Sequence, residues 1–245
     1  MTGGAPLPTM RTPGARGRIG VIQPAPGVML EHEWPAWLPA EVLFPVGRLR
    51  MPSADRAGYA VMAAAAPEVA RDLASAGASL VAYACALGSV CGGPGEEEAL
   101  AASLARAAGR PAIALGSACT AALERLGARR PALLTPYGTE GNRWLRDYAL
   151  ACGLRPQAPV ATPVDIMTVG DLPPAAIVAI GVAALAARPE ADSLWIPCTA
   201  VQTLDAIDAI EAVSGRPVVS GSQALLWRSL AILGVESRGP GRLFR

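Results

Sequence analysis

Aromatic residues make up only 4% of the 245 positions, and a single histidine, His32, is present. With 52% of the residues apolar, the core must therefore be built from Ala, Val, Leu and Ile, which suits close packing of helices on a sheet. One histidine and no CxxC pair leave zinc without a ligand set, so no metal is expected. Clusters of basic and aromatic side chains are also missing. Lys plus Arg (21) nearly balances Asp plus Glu (20), so no nucleic-acid partner is expected. The most apolar helical stretch, Ala175 to Ala187, is thirteen residues long, short of the roughly 20 that span a bilayer. The first seventeen residues are rich in Gly, Pro and Thr and lack an apolar core of signal-peptide length, so 1–17 reads as a flexible tail. Five cysteines, an odd number without a secretory signal, read as free thiols in a soluble, cytoplasmic protein.

What is present is a regular alternation. Short apolar runs at Arg18–Ile22, Ser79–Ala84, Pro111–Leu115, Pro131–Thr135, Ser193–Pro197 and Pro217–Ser220 read as buried strands. Between and after them lie helix-period segments at Ala57–Ser75, Glu96–Ala108, Ala118–Leu126, Glu140–Ala151, Pro174–Ala187, Thr203–Ser214 and Ser222–Leu233. Gly77, Gly109, Gly127, Gly153, Gly215 and Gly234 sit just past the ends of six of these, where a left-handed residue stops a helix. The pattern predicts an α/β fold with parallel sheets, and active residues on loops beyond the carboxyl ends of strands. The glycine-rich run Gly88–Gly95 lacks the Gly-Lys-Ser/Thr of a P-loop and the spacing of a dinucleotide fingerprint, so it reads as an ordinary loop and no cofactor is expected.

Two strand-to-loop junctions echo each other, Tyr83-Ala84-Cys85-Ala86 and Ile196-Pro197-Cys198-Thr199. Two similar lobes facing each other would bring both cysteines to one cleft. A thiol just after a buried strand sits where backbone N–H groups can lower its pKa from about 8.5 towards neutrality. Two such thiols on opposite sides of a planar carbon can remove a proton from one face and return it to the other. Alternatively, one can add to an alkene while the second supplies a proton. The competing reading makes Cys85 and Cys198 small core residues, and spacing alone leaves the two level. Cys91, Cys119 and Cys152 read as structural or incidental.

These residues carry a resemblance. Val81-Ala-Tyr-Ala-Cys85, Cys198-Thr-Ala-Val-Gln-Thr-Leu-Asp-Ala-Ile207, Gly215-Arg-Pro-Val-Val-Ser-Gly-Ser-Gln-Ala-Leu-Leu-Trp227 and Pro240-Gly-Arg-Leu-Phe244 resemble the family of maleate cis-trans isomerases and arylmalonate decarboxylases, in the aspartate/glutamate racemase superfamily. The resemblance implies two pseudosymmetric Rossmann-like lobes, 18–120 plus 221–245 and 121–220, with the active site between them and a homo-oligomer as the expected assembly. It implies Cys85 as nucleophile or base on one face of a small carboxylate and Cys198 as acid or base on the other. Tyr137 would bind a substrate carboxylate, with Asn142 nearby. Backbone N–H groups at Ala86, Leu87 and Thr199 would form an oxyanion pocket, and the hydroxyls of Thr199 and Ser222 would add donors. Tyr137 at a wet lobe edge and Thr199 or Ser222 as helix caps are the non-catalytic alternatives.

The departures narrow the reading. Maleate isomerases carry Pro-x-x-Asn after the first strand, with the Asn holding a carboxylate, whereas this chain has Pro24-Ala-Pro-Gly27. Gly27 leaves a drier corner, closer to the decarboxylases, yet those have glycine where this chain has Cys85. The resulting expectation is a cofactor-independent isomerase or racemase acting on a small carboxylate. The alternatives are an arylmalonate-type decarboxylase with Cys198 as proton donor and a non-catalytic carboxylate-binding protein.

Overall fold

Strand β1, Ile19–Pro24, lies between two parallel neighbours, so Ile19, Val21 and Ile22 are all buried. A strand covered on both faces must be apolar at successive positions, as this one is. In the computed structural model, which describes residues 12–245, the chain continues through α1 (Met29–Glu33), a 3-10 turn at Trp34–Ala36, β2 (Val46–Leu49), α2 (Arg56–Ser75) and β3 (Leu80–Tyr83). Next come α3 (Ala86–Val90), α4 (Gly93–Ala108), β4 (Ala112–Ala114) and α5 (Leu115–Arg125). The second half has β5 (Pro131–Thr135), α6 (Thr139–Ala151), β6 (Val160–Ala161), α7 (Pro174–Ala186), β7 (Ser193–Ile196), α8 (Ile207–Ser214), β8 (Val218–Ser220) and α9 (Gly221–Ile232).

The two sheets are ordered β2-β1-β3-β4 and β6-β5-β7-β8, and every pairing is parallel. The second order is the first shifted by four strands, so the echo between the cysteine loops belongs to a repeat of the whole topology. Helices α5 and α9, which follow the last strand of each sheet, pack on each other, and α9 also reaches β3. The two lobes thus share a helical seam, and the carboxyl ends of β3 and β7 open onto one cleft.

The helices form where the sequence supplies a buried stripe and a cap. In α2 the residues Tyr59, Met62, Ala66, Ala70 and Leu73 recur at helical spacing and are buried, and Asp55 accepts the Gly58 N–H at 2.8 Å, a capping contact. At α9 a capping box joins Ser220 and Gln223. The six glycines expected to end helices all have φ between 61° and 79°.

Three expectations change. The helix expected over Thr203–Ser214 begins only at Ile207, because Thr203 is drawn into hydrogen bonds with Glu33 and Ser220. The tail expected over 1–17 is described only from Thr12. There it forms a hydrogen-bonded turn, Arg16 N–H donating to the Glu41 carbonyl at 3.0 Å, while residues 1–11 lie outside the described residues. Elements α1, α3, β2 and β6 were not anticipated, since two to five residues are too few to display a period. Among the described residues, no helix is long and apolar enough to cross a membrane.

Candidate active site

Both thiols stand two residues beyond the end of a central strand. β3 ends at Tyr83, the Ala84 N–H continues the ladder to the Ile22 carbonyl at 2.7 Å, and Cys85 becomes the N-cap of α3. β7 ends at Ile196, and Pro197 turns the chain into Cys198. Cys85 (7% exposed) and Cys198 (4% exposed) line the same cavity, together with Gly27, Ala86, Leu87, Tyr137 and Thr199. These are seven of the nine site residues read from the sequence.

The environments of the two sulfurs differ. Burial pushes the Cys85 thiol up to about 12, opposed by the Gly88 N–H directed at the sulfur. Burial also raises the Cys198 thiol, but here three donors work the other way: the Tyr137 hydroxyl and the N–H groups of Ala200 and Val201. Charge on either sulfur is costly in this dry cavity, and Cys198 is the better equipped to carry it. Charge on Cys198 in turn disfavours charge on Cys85.

The cavity lining contains no charged side chain, and the chain contains no lysine at all. A carboxylate here must be held by neutral donors. Ala86 and Leu87 open α3, so their N–H groups have no acceptor within the helix. Thr199 is more committed than the sequence reading supposed, because its hydroxyl donates across the cleft to the Ala84 carbonyl at 3.3 Å. What it offers a ligand is its backbone. Gly27 lines the cavity without a polar side chain, and its carbonyl is held by Arg48 Nη1 at 2.6 Å.

Asn142 and Ser222 do not line the cavity. Asn142 accepts from the Thr135 hydroxyl at 2.7 Å and donates to the Tyr137 carbonyl at 2.8 Å. The amide therefore fixes the turn that carries Tyr137 and is turned away from any ligand. Ser222 is fully buried inside the first turn of α9, facing the buried carboxyl of Glu33. Cys91, Cys119 and Cys152 lie outside the cavity, and all five cysteines are free. Among the described residues, no cluster of three or more His, Cys, Asp or Glu is placed to hold a metal ion.

The sequence reading missed part of the lining: Tyr59, Met51, Pro26, Ile166 and Met167. Tyr59 belongs to the buried stripe of α2 and is held edge-on against Trp144 of the other lobe, with ring centroids 6.2 Å apart. It lies within the helix-period segment Ala57–Ser75, and only the facing lobe makes it a site residue. Ile166 and Met167 come from the irregular stretch between β6 and α7, where no pattern points to them.

Two parallel-sheet lobes, with one thiol from each in a cavity whose lining carries no charged side chain, describe an α/β fold with a site between its halves. The family model for arylmalonate decarboxylase matches residues 19–244, and the chain belongs to that family. Arylmalonate decarboxylase from Bordetella bronchiseptica is 31% identical over 232 residues, covering 92% of this chain and 95% of that protein. Maleate isomerase from Nocardia farcinica is 32% identical over 245 residues, covering 93% and 95%. A solved structure of the Nocardia farcinica maleate cis-trans isomerase, a cysteine-to-serine mutant with a covalently bound succinylcysteine intermediate, superposes with a TM-score of 0.84. It is 28% identical and covers 94% of this chain and 98% of that one. Cysteine chemistry on a small acid is thus seen in a relative of the same fold.

Proposed function

We propose that the protein is a cofactor-independent isomerase or racemase in which Cys85 and Cys198 handle opposite faces of a carboxylate's α-carbon. The observation that carries this reading is the convergence of the two thiols, one from each lobe, on a single cavity. The working pair shares one proton. With the charge on Cys85, its sulfur takes the α-proton, and the C–H electron pair passes into an enediolate stabilised by the N–H groups of Ala86, Leu87 and Thr199. The Cys198 thiol returns a proton to the opposite face and is left as the thiolate, where Tyr137, Ala200 and Val201 support it. On an alkene, the Cys85 sulfur instead forms an S–C bond, and the neighbouring carbon takes the Cys198 proton. The C–C bond rotates, Cys198 removes a proton again, and the S–C bond breaks.

The lining narrows the substrate. Gly27, Ile166, Met167 and Met51 provide no partner for a second carboxylate, and an ion buried without partners is costly. A monocarboxylate with an apolar substituent at its α-carbon suits the site better than maleate does. The same dryness favours a second reading, decarboxylation of a disubstituted malonate. There the carboxylate stranded in the apolar corner leaves as carbon dioxide, its bonding pair becomes the enediolate, and Cys198 protonates it. A reducing cytoplasm suits five unpaired thiols.

Proton NMR in D2O with chiral 2-aryl acids, arylmalonates and maleate separates these chemistries. Deuterium at the α-carbon with loss of optical rotation is the expected result. Carbon dioxide release supports decarboxylation, conversion to fumarate supports isomerisation, and silence towards every acid would favour a binding protein. On the acid that turns over, Tyr137→Phe is expected to lower kcat by about 10- to 100-fold, the cost of one hydrogen bond to a charged sulfur. KM should change little if Tyr137 serves the thiol more than the ground-state carboxylate, and steady-state kinetics reads the split.

A further inference from the structure

Of three consecutive side chains at the end of α1, two reach into the other lobe and the third reaches the first turn of α9. The His32 ring nitrogen Nε2 lies 3.2 Å from the Gln202 amide. The Glu33 carboxylate accepts the N–H groups of Thr203 at 2.5 Å and Leu204 at 2.7 Å. The Trp34 Nε1–H donates to the Ser222 carbonyl at 3.2 Å. Residues 202–204 belong to the loop that begins with Cys198 and supplies its N–H donors from Ala200 and Val201. On its other side, α1 is preceded by Pro24, Pro26 and Gly27, which line the cavity.

Glu33 is the centre of this seam. It is 5% exposed, and a carboxyl so deeply buried is rare unless its partners are worth the desolvation. One oxygen takes two backbone N–H groups, while Oε2, which faces Ser222, and the Ser222 hydroxyl are both buried without a hydrogen-bond partner. The Thr203 hydroxyl continues the tie to Ser220 at 2.8 Å, so the loop is fastened to the first turn of α9 as well. A loop of irregular backbone has no ladder of its own to fix its conformation.

We infer that Glu33 is a positioning residue that holds the Cys198 loop in register across the lobe junction and so keeps the second thiol buried and aimed at the cavity. Glu33 touches no substrate and acts only through residues 203–204. A second buried glutamate provides the contrast. Glu97 also joins the lobes, accepting from the Tyr148 hydroxyl and from the Ser117 N–H at 3.0 Å, and neither of these hydrogen bonds goes to the Cys198 loop.

The inference rests on the proposed role of Cys198 only where turnover is read, and thiol labelling tests it without any substrate. Mass spectrometry follows the rates at which iodoacetamide alkylates Cys85 and Cys198 in the full chain. Glu33→Ala is expected to raise the Cys198 rate about tenfold or more through local opening of the loop, leave the Cys85 rate unchanged, and lower kcat more than it changes KM. Glu33→Gln keeps an acceptor for both N–H groups and puts an amide N–H on Ser222, so it is expected to restore wild-type labelling. If Glu33→Ala does not fold, Glu33→Asp, one methylene shorter, carries the same expectation as the alanine. An unchanged Cys198 rate would overturn the inference. So would a parallel rise at both thiols, or an equal rise at Cys198 in Glu97→Gln, either of which would make Glu33 a general clasp between lobes. Normal labelling changes with no turnover of any acid would leave the inference standing and remove the proposed reaction.

Discussion

Replacing Cys85 with Ala is expected to lower racemisation or isomerisation by at least about a thousandfold, and Cys198→Ala is expected to do the same. The reason is stoichiometric. Inversion by two opposed groups needs one to remove a proton on one face and the other to supply one on the opposite face, and the two thiols, one from each lobe, stand in the cavity for that pair of tasks. With either gone, the remaining thiol can only exchange protons on its own face. Deuterium incorporation with retention of configuration would then persist while racemisation stops. The decarboxylase reading makes the opposite statement about Cys85: carbon dioxide release should survive Cys85→Ala and fail in Cys198→Ala, because a single protonation completes that reaction. The pH profile adds a check. Burial raises both thiols above their ordinary value, so the singly deprotonated pair is a minor species at neutral pH. Its population grows as the pH rises, and the rate should climb through pH 7 to 9 without a plateau. A profile already flat at pH 7 would mean that a thiolate preexists and that substrate or conformational change overcomes the burial.

The parts of this site that could be read from sequence share a physical property: their position is fixed locally. Cys85 and Cys198 follow strands whose apolar runs end in plain view, so the loop beyond each strand could be located and the two loops compared. Helix ends marked by glycine were legible for the same reason. Asn142 and Ser222 show where this stops. Each lies in a recognisable segment close to the cleft, but the direction of the side chain is decided by its partners, Thr135 and the Tyr137 carbonyl in one case and the Glu33 pocket in the other. Tyr59 is the converse. It sits in a segment read as helical, and nothing local says that one face of this buried residue borders a cavity. Glu33 lies in a five-residue helix without detectable period, and its partners are 170 and 171 positions away. No local pattern could pair them.

Gly221→Ala is expected to cost about a hundredfold in kcat while lowering stability by about 1–3 kcal/mol, the range for a forced fit in a packed interior. A methyl group at residue 221 would stand 2.3 Å from the Pro197 carbonyl oxygen and 3.3 Å from Thr199 Cγ2. The first contact is with backbone, so no side-chain rotation relieves it. Either α9 backs away from β7 or the Pro197–Cys198 peptide gives way. α9 is pinned by its capping box and by its packing on α5, so the peptide is the softer of the two. A shift there of about 1 Å moves Cys198 and the N–H groups that follow it, a displacement large enough for a loss of this size. The comparison variant is Gly95→Ala in the first turn of α4, where an added methyl meets nothing within 4 Å. That change should leave kcat unaltered and raise the melting temperature slightly, since Ala is the better helix former. If Gly221→Ala instead keeps full turnover at reduced stability, α9 has yielded while the cysteine loop stayed in place. The position of Cys198 would then be set from the Glu33 side of the loop, with the contact at Gly221 contributing only packing.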